Sequence, residues 1–355
     1  MTTHSGKRVT LVDVGRKCGY HYTTVGLALR NHPGIPEHTR QKILAAVEEL
    51  GYRPDPALRS LIAHRRTRKH SKGYSTLAII SDHETPDGWH SDSLTGIACF
   101  NGMRERAETL GYRLAEFTVG PDHKNEQRLD SVLKARGIAA VIIAPLLDPE
   151  NGRIDLDWSA YSAISVSHSL REPRLPRVTH QHRTAAQLAV ESLMRLGYRR
   201  MALMNPLQFD MRVGFGTSAG FFGAIHLYAD RLEGMSFAPR HYVDLACPEA
   251  VEWIHRCRPE VILSTEQHLR DYLVDNGLRI PDELGFAALG VHPGENDIAG
   301  IHENYETVGT EVIDLIARMQ ALNIRGIPCV PWVHLVQGEW VQGRTVRQIR
   351  DYIPD

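Results

Sequence analysis

The 355-residue sequence predicts a mixed α/β protein: a small module of three helices and a hinge, then two lobes, each a doubly wound parallel sheet. Three observations carry this. Three short runs of helical periodicity, separated by tight bends, occupy the first fifty or so residues. From Ser75 onward, apolar strand-like runs alternate with amphipathic helices in two successive rounds. Charge divides at the same junction: residues 1–72 carry 14 Lys and Arg against 5 Asp and Glu, net +9, and the remainder carries 27 against 37, net −10. The overall −1 therefore hides a basic end and an acidic body, and 42% hydrophobic residues suffice for sizeable cores.

The first element lies in "VTLVDVGRKCGY", where Leu11, Val14 and Cys18 share a helical face and Gly19 suits a left-handed helix end. The second lies in "YTTVGLALRN", with Val25, Ala28 and Leu29 on one face and Thr23, Leu27 and Arg30 on the other. The third lies in "PEHTRQKILAAVEELGY", where Pro36 suits a first helical position and Ile43, Ala46, Val47 and Leu50 form the buried stripe before Gly51. Three short helices with tight turns make a helix-turn-helix domain. In such a domain the second helix of the pair enters the major groove of DNA. The basic charge fits that use, because lysines and arginines gain affinity by displacing counterions from phosphates. Tyr22, Thr23 and Thr24 would then hydrogen-bond bases or phosphates, Leu27 would lie against a thymine methyl, and Arg30 would reach a phosphate or guanine.

The run "VTLVDVGRKCGYHYTTVGLALRNHPGIPEHTRQKILAAVEELGYRPDPALRSLIAHRR" resembles, without a gap over residues 9–66, the headpiece and hinge of the LacI/GalR family of bacterial transcription regulators. The resemblance implies that Tyr22, Thr23 and Leu27 read bases. It also shows three departures: His21 stands where the family has a helix-capping serine, Gly26 where a serine follows the TV pair, and Leu27 where an arginine is frequent. These alter the expected operator sequence rather than DNA binding itself. The next stretch, "RPDPALRSLIAHRRTRKHSKG", contains an eight-residue helical segment that is too short to persist alone in water. The resemblance implies a hinge helix that orders when two copies pair on DNA, with Leu58 and Leu61 at the operator and Leu61 wedged into the minor groove. A plain linker is the other reading, and Arg65 can meet phosphate under either.

In the body, "STLAIIS" (75–81), "YRLAEFTV" (112–119), "IAAVIIAP" and "YSAISVSH" (161–168) read as strands, with helices at 94–112 and in "EQRLDSVLKARG". A second round follows: helix 184–198, strand 200–205, helix "SAGFFGAIHLYADRL", strand 260–265, helix "EQHLRDYLVDNG" and strand 284–290. This layout resembles the two-lobed, periplasmic-binding-protein-like effector domain of the same family. The expected domains are a headpiece at 1–54, a hinge helix and linker at 55–74, an effector and dimerisation domain at 75–345, and a tail at 346–355. Lobe 1 is expected at about 75–181 plus 302–325, and lobe 2 at about 182–301 plus 326–345.

In two-lobed α/β proteins a small molecule binds in the cleft, at the carboxyl ends of strands. The candidates are His83, Trp89 and His168 in the first lobe, and Thr217, Glu266, Gln267 and Gly290 in the second. The resemblance again marks departures: Thr217 replaces an arginine common in sugar-binding members, Glu266-Gln267 an Asn-Asp pair, and Gly290 an aspartate. Loss of a bidentate arginine and a carboxylate weakens the grip on polyhydroxy ligands, so the effector is expected to be unusual, or replaced by a protein partner.

The remaining signals exclude more than they assign. Cys18, Cys99, Cys247, Cys257 and Cys329 form no CxxC pair, so buried, reduced thiols are expected. His180 and His182, two apart, would share a face on a strand. No spaced ligand set accompanies them, so hydrogen-bonded histidines are expected and no metal; Glu303 and Glu306 are expected to cover a surface loop. "GFGTSAG" (214–220) lacks the rest of a dinucleotide fingerprint, no nucleophile-base arrangement is visible, and neither cofactor nor enzymatic activity is expected. The longest apolar run (138–147) is too short to span a bilayer and the first residues lack a secretory core, which leads to the expectation of a cytoplasmic protein. The function expected is that of a DNA-binding repressor, a homodimer or a tetramer, which holds a palindromic double-stranded operator under control of a small-molecule effector such as a sugar. A two-lobed solute-binding protein is the rival.

Overall fold

The computed structural model describes residues 9–29, 34–52, 75–91, 93–237, 245–292 and 297–350. These fall into two compact units, Met1–Lys72 and Gly73–Asp355.

The first unit holds α1 (Leu11–Cys18), α2 (Tyr22–Ala28) and α3 (Glu37–Glu49). Helix α1 starts where it does because Thr10 and Asp13 cap each other. The Thr10 hydroxyl donates to Asp13 Oδ2 at 2.6 Å, and the Thr10 amide donates to the same oxygen at 2.9 Å. It stops at Gly19, whose φ of 78° would strain a side chain and whose amide closes onto the Gly15 carbonyl at 2.9 Å. Val14, Cys18, Val25, Ala28, Ile43 and Ala46 make the core, with Val47 and Leu50 packed at its edge. Pro36 stands one place earlier than expected: it is the cap of α3, with an extended ψ of 147°, rather than a residue of the first turn. Lys17 Nζ meets Glu49 Oε1 at 2.6 Å and ties α1 to α3.

The second unit contains two six-stranded sheets. The first is built of β1 (Ser75–Ser81), β2 (Tyr112–Thr118), β3 (Ala140–Ile143), β4 (Ser162–Val166), β5 (Arg177–His180) and a late strand, β11 (Val333–Val336). Their order is β11-β5-β4-β3-β1-β2, all parallel, with Ala78 opposite Val141 and Ile142 opposite Ile164. The helices α4 (Gly88–Ser91), α5 (Leu94–Leu110), α6 (Glu126–Ala135) and α12 (Tyr305–Leu322) belong to this lobe. Leu77, Ile79 and Ile142 pack toward α5 and α12, while Ala78, Ile80 and Val141 pack toward α6. A sheet buried on both faces explains the continuous apolar runs in its strands.

The second sheet contains β6 (Arg200–Met204), β7 (Gly234–Phe237), β8 (Val261–Ser264), β9 (Gly285–Val291), β10 (Ala299–His302) and β12 (Glu339–Val341). Their order is β12-β10-β9-β8-β6-β7, parallel except for β12. Helices α7 (His182–Arg195) and α9 (Gly216–Leu227) cover one face, and α10 (Pro248–Cys257) and α11 (His268–Asp275) the other. A short helix, α8 (Leu207–Arg212), follows β6.

Two expectations are corrected. The segment 326–345 does not belong wholly to lobe 2: Val333–Val336 pairs in parallel with Arg177–His180 in the first sheet, and the chain re-enters lobe 2 only at β12. The supposed tail is docked as far as residue 350. Val346 is 4% exposed in the lobe 2 core, and Arg350 grips Glu260 through Nη2 to Oε1 at 2.6 Å and Nη1 to Oε2 at 3.2 Å. The cysteines also divide: Cys18 and Cys99 are buried, but Cys247 and Cys257 are half-buried and Cys329, between α12 and β11, is exposed.

The lobes are therefore joined by three crossovers: β5 to α7, β10 to α12, and β11 to β12. These hold one another. The Gln181 amide donates to Val336 O at 2.8 Å, and Asn304 Nδ2 donates to Gln337 O at 2.9 Å.

Candidate nucleic-acid interface and effector cleft

Helix α2 turns Val25 and Ala28 into the headpiece core and leaves Tyr22, at 48% exposure, and Thr23 open to solvent. Thr24 and Leu27 are half-buried at the shoulder of the same surface, so Leu27 is less solvent-facing than its position in the periodicity suggests. Arg30, Leu58, Leu61 and Arg65 lie outside the described residues. His21, at the cap position, gives α2 no side-chain cap bond; its Nδ1 lies 2.8 Å from Thr23 Oγ1 and its ring is 4.2 Å from that of Tyr22. The outer surface of α2 is therefore a contiguous set of polar and aromatic groups on a rigid helix, the kind of surface that reads base edges.

Between the two lobes of the second unit lies a cavity of about 710 Å³. Of the seven expected effector residues, His83, Trp89 and Glu266 line it. Trp89 is held there by its Nε1, which donates to Glu116 Oε2 at 3.3 Å, and Glu116 also meets His90 Nε2 at 2.9 Å. Glu266 is fixed by its amide, which donates to Ser264 Oγ at 3.1 Å. His168, Thr217, Gln267 and Gly290 are not in the wall. His168 accepts from Arg177 Nη1 at 3.2 Å, and its pKa falls to about 4, first through burial and then through the neighbouring Arg177 and Arg171 cations. Thr217 is buried within the first turn of α9. Gln267 spends its side-chain amide on Gly290 O at 2.6 Å, bracing β9 against the start of α11.

Sequence reasoning missed the cavity's main cation. Arg212, at the end of α8, lines the cavity and donates through Nη2 to Leu147 O at 3.1 Å. Only the fold could reveal it, because the short α8 gives no periodic signal. Phe209 and Tyr305 line the same space, and burial pushes the Tyr305 hydroxyl well above its ordinary pKa. Cys99, also on the wall, is pushed up to about 12 by burial and so stays a thiol.

Beside this cavity the structure gathers three groups that the sequence scatters. His180 ends β5 and His182 opens α7, so the pair does not lie on one strand; their rings nonetheless meet edge to face at 4.8 Å. Glu303 joins them, with Oε1 3.7 Å from His182 Nδ1. It does not cover a surface loop: it is 7% exposed, because the β10-to-α12 crossover runs between the lobes, whereas Glu306 one turn on is exposed. Burial pushes the Glu303 carboxyl up to about 8 and lowers His180 to about 4 and His182 well below its usual value.

Comparison with known proteins follows the same division. Residues 10–55 match the bacterial regulatory proteins of the lacI family, and residues 76–219 match the periplasmic binding proteins and sugar binding domain of the LacI family. The chain is 23% identical over 292 residues to the HTH-type transcriptional regulator DegA of Bacillus subtilis (strain 168), covering 78% of this chain and 80% of that one. Further relatives are matched over about 55% of their own length. Among solved structures, a complex of the transcriptional regulator CelR with cellobiose superposes with a TM-score of 0.58 at 17% identity, covering 95% of this chain and 100% of that one. The lac repressor dimer bound to operator and an anti-inducer superposes at 0.54, also at 17% identity, over 96% and 99%. At such identities these structures establish the fold alone. No helix among the described residues is long and apolar enough to cross a membrane. The two family matches together take in more than half of the chain, and the chain belongs to the lacI family of bacterial regulatory proteins.

Proposed function

We propose that the chain is a transcriptional repressor of the cytoplasm that binds a roughly palindromic operator as a homodimer and changes its operator affinity when a small molecule enters the interlobe cavity. The observation that carries this is helix α2: it buries Val25 and Ala28 and offers Tyr22 and Thr23 at the surface of a basic module. Tyr22, Thr23, Thr24, Leu27 and Arg30 contact the major groove, Leu58 and Leu61 the operator centre, and Arg65 phosphate. Two copies related by a two-fold axis demand two half-sites.

In the cavity, Arg212 and Glu266 supply opposite charges, and the Trp89 indole an apolar wall. That combination suits a small, polar, ring-bearing molecule of the sugar or sugar-acid class. The ligand acts only through the difference in its binding to the open and closed lobes. Sequencing the genomic fragments retained by the full-length chain at moderate salt is expected to return one class of near-palindromic duplexes, and deletion of residues 1–72 should abolish retention. Retention no better than that of scrambled duplex overturns the reading.

A further inference from the structure

We propose that His180, His182 and Glu303 form a binding site for one divalent transition-metal ion, set on the crossovers that join the two lobes. Their ligating atoms all lie within 4.8 Å of one another, and all three residues are buried. Two imidazoles and one carboxylate suit zinc, cobalt, nickel or ferrous iron; magnesium and calcium prefer sites built of oxygen. Metal bonds of about 2.0–2.1 Å in tetrahedral geometry place ligand atoms about 3.4 Å apart, so the cluster, whose ligating atoms lie within 4.8 Å, closes by up to about 1.5 Å on binding.

Two independent observations point the same way. Nε2 of His182 is buried without a hydrogen-bond partner among the described residues, and neither ring nitrogen of His180 makes a hydrogen bond of good geometry there, although the Glu303 and Val336 carbonyls lie near its ring. A buried ring nitrogen without a partner costs about 1–3 kcal/mol, which native interiors rarely tolerate, and such atoms on two facing imidazoles call for a ligand. A bound ion would take one lone pair from each ring, and the other His180 nitrogen has the carbonyls of Glu303 and Val336 near it as acceptors. The second observation is the space. A Cβ on Gly338 would lie 2.8 Å from His180 Cε1, and one on Gly290 would lie 2.7 Å from Glu303 Oε2. Both crossover and sheet are thus cut back around the ligands.

Three protein ligands leave at least one coordination position open. Phe209 and Tyr305, whose rings lie 6.1 Å from His182 and 6.2 Å from His180, also line the cavity, so the site borders the effector space. Because Glu303 comes from one crossover and the histidines flank another, occupancy links segments that shift past each other when lobes close. This proposal stands apart from DNA binding and is tested without it.

The test is titration of the full-length, chelator-treated chain with Co²⁺, followed by displacement with Zn²⁺. One Co²⁺ per chain is expected, with the visible band of low coordination number, and Zn²⁺ should raise the melting temperature while Mg²⁺ should not. His182→Asn and Glu303→Gln should each weaken Co²⁺ binding by more than about 100-fold, beyond the loss of a supporting hydrogen bond. His255→Ala, at an exposed histidine on α10, should leave it unchanged. No stoichiometric uptake by the wild type, or the same spectrum and affinity in folded His182→Asn and Glu303→Gln, overturns the proposal. If a variant fails to fold, cobalt-shifted proton signals in the wild type decide: two shifted imidazoles support the site and fewer overturn it.

Discussion

The carboxylate of Glu303 fills the space that a side chain at Gly290 would need: Oε2 lies 2.7 Å from the position of a Cβ there. A buried carboxyl is thus supplied from the β10-to-α12 crossover to a place beside β9 where residue 290 offers none. Gly290→Ala should push Glu303 off its position and destabilise lobe 2 by about 1–2 kcal/mol. In a Glu303→Ala background the same substitution should cost about 1 kcal/mol less, because its obstacle is gone. Denaturant melts of the four proteins measure this coupling, and additive costs would mean that the two residues do not share the space.

Helices α5 and α12 touch backbone to backbone. A Cβ on Gly309 would lie 2.0 Å from the Cys99 carbonyl, and one on Gly102 would lie 2.0 Å from that of Glu306. Neither carbonyl can swing away as a side-chain end can. Gly309→Ala should therefore cost at least about 2–3 kcal/mol and force the helices apart. Thermal unfolding compared with that of Gly223→Ala, where a Cβ meets open space, checks it; equal melting temperatures would refute the close approach.

The docked carboxyl-terminal segment should govern acid stability of lobe 2. Burial alone would raise the Glu260 carboxyl, but bonds from Arg350 and from the amides of Arg199 and Arg200 outweigh it and hold it at about 2. A carboxylate so depressed adds stability above its unfolded pKa and loses it as pH falls toward the folded value. Arg350→Ala should cost about 1–2 kcal/mol near neutrality, since the guanidinium is partly exposed. It should also move the acid unfolding midpoint upward. An unchanged midpoint would show that the latch does not bear on Glu260.

How much of this was legible in the sequence depends on how local its cause is. Helix α1 and its end at Gly19 were readable, because the spacing of Leu11, Val14 and Cys18 and the positive φ at Gly19 act within a turn or two, whereas the Thr10–Asp13 cap came to light only in the structure. Runs such as Ala140–Ile143 were readable because burial on both faces leaves one apolar stretch. Strand β11 was assigned to the wrong lobe because it is an edge strand in which only Val336 is buried, and nothing in such a pattern names its sheet. The grouping of His180, His182 and Glu303 was invisible for another reason: it arises where two crossovers, more than a hundred residues apart, pass each other. Arg212 escaped likewise, since a six-residue helix gives too little periodicity to aim a side chain.

His21 caps α2 poorly, and the remedy follows from its chemistry. The position has the extended backbone of a helix cap, φ −66° and ψ 146°, but its imidazole is engaged with Thr23 Oγ1. A serine hydroxyl there can accept from the amides of the first turn, so His21→Ser should stabilise the headpiece by about 0.5–1 kcal/mol. Slower amide hydrogen exchange in α2 of the full-length chain would register this, and faster exchange would show that the bond to Thr23 matters more.

His168 should make lobe 1 sensitive to mild acid. Its ring is kept neutral by burial and by Arg177 and Arg171, which lower its pKa from 6.5 to about 4. Below the unfolded value the unfolded chain binds a proton that the folded chain refuses, so this contribution is complete above about 6.5 and is lost as pH falls toward 4. For a ring not fully enclosed, the loss between about pH 7 and about pH 5 is about 1–2 kcal/mol. Glutamine can still accept from Arg177 but cannot take up a proton. His168→Gln should therefore leave stability near neutrality within about 1 kcal/mol of wild type and flatten the decline toward pH 5 by the amount above. His180 and His182, also lowered, keep part of the slope. Equal slopes in variant and wild type would mean that burial and the neighbouring guanidinium groups do not hold the ring neutral.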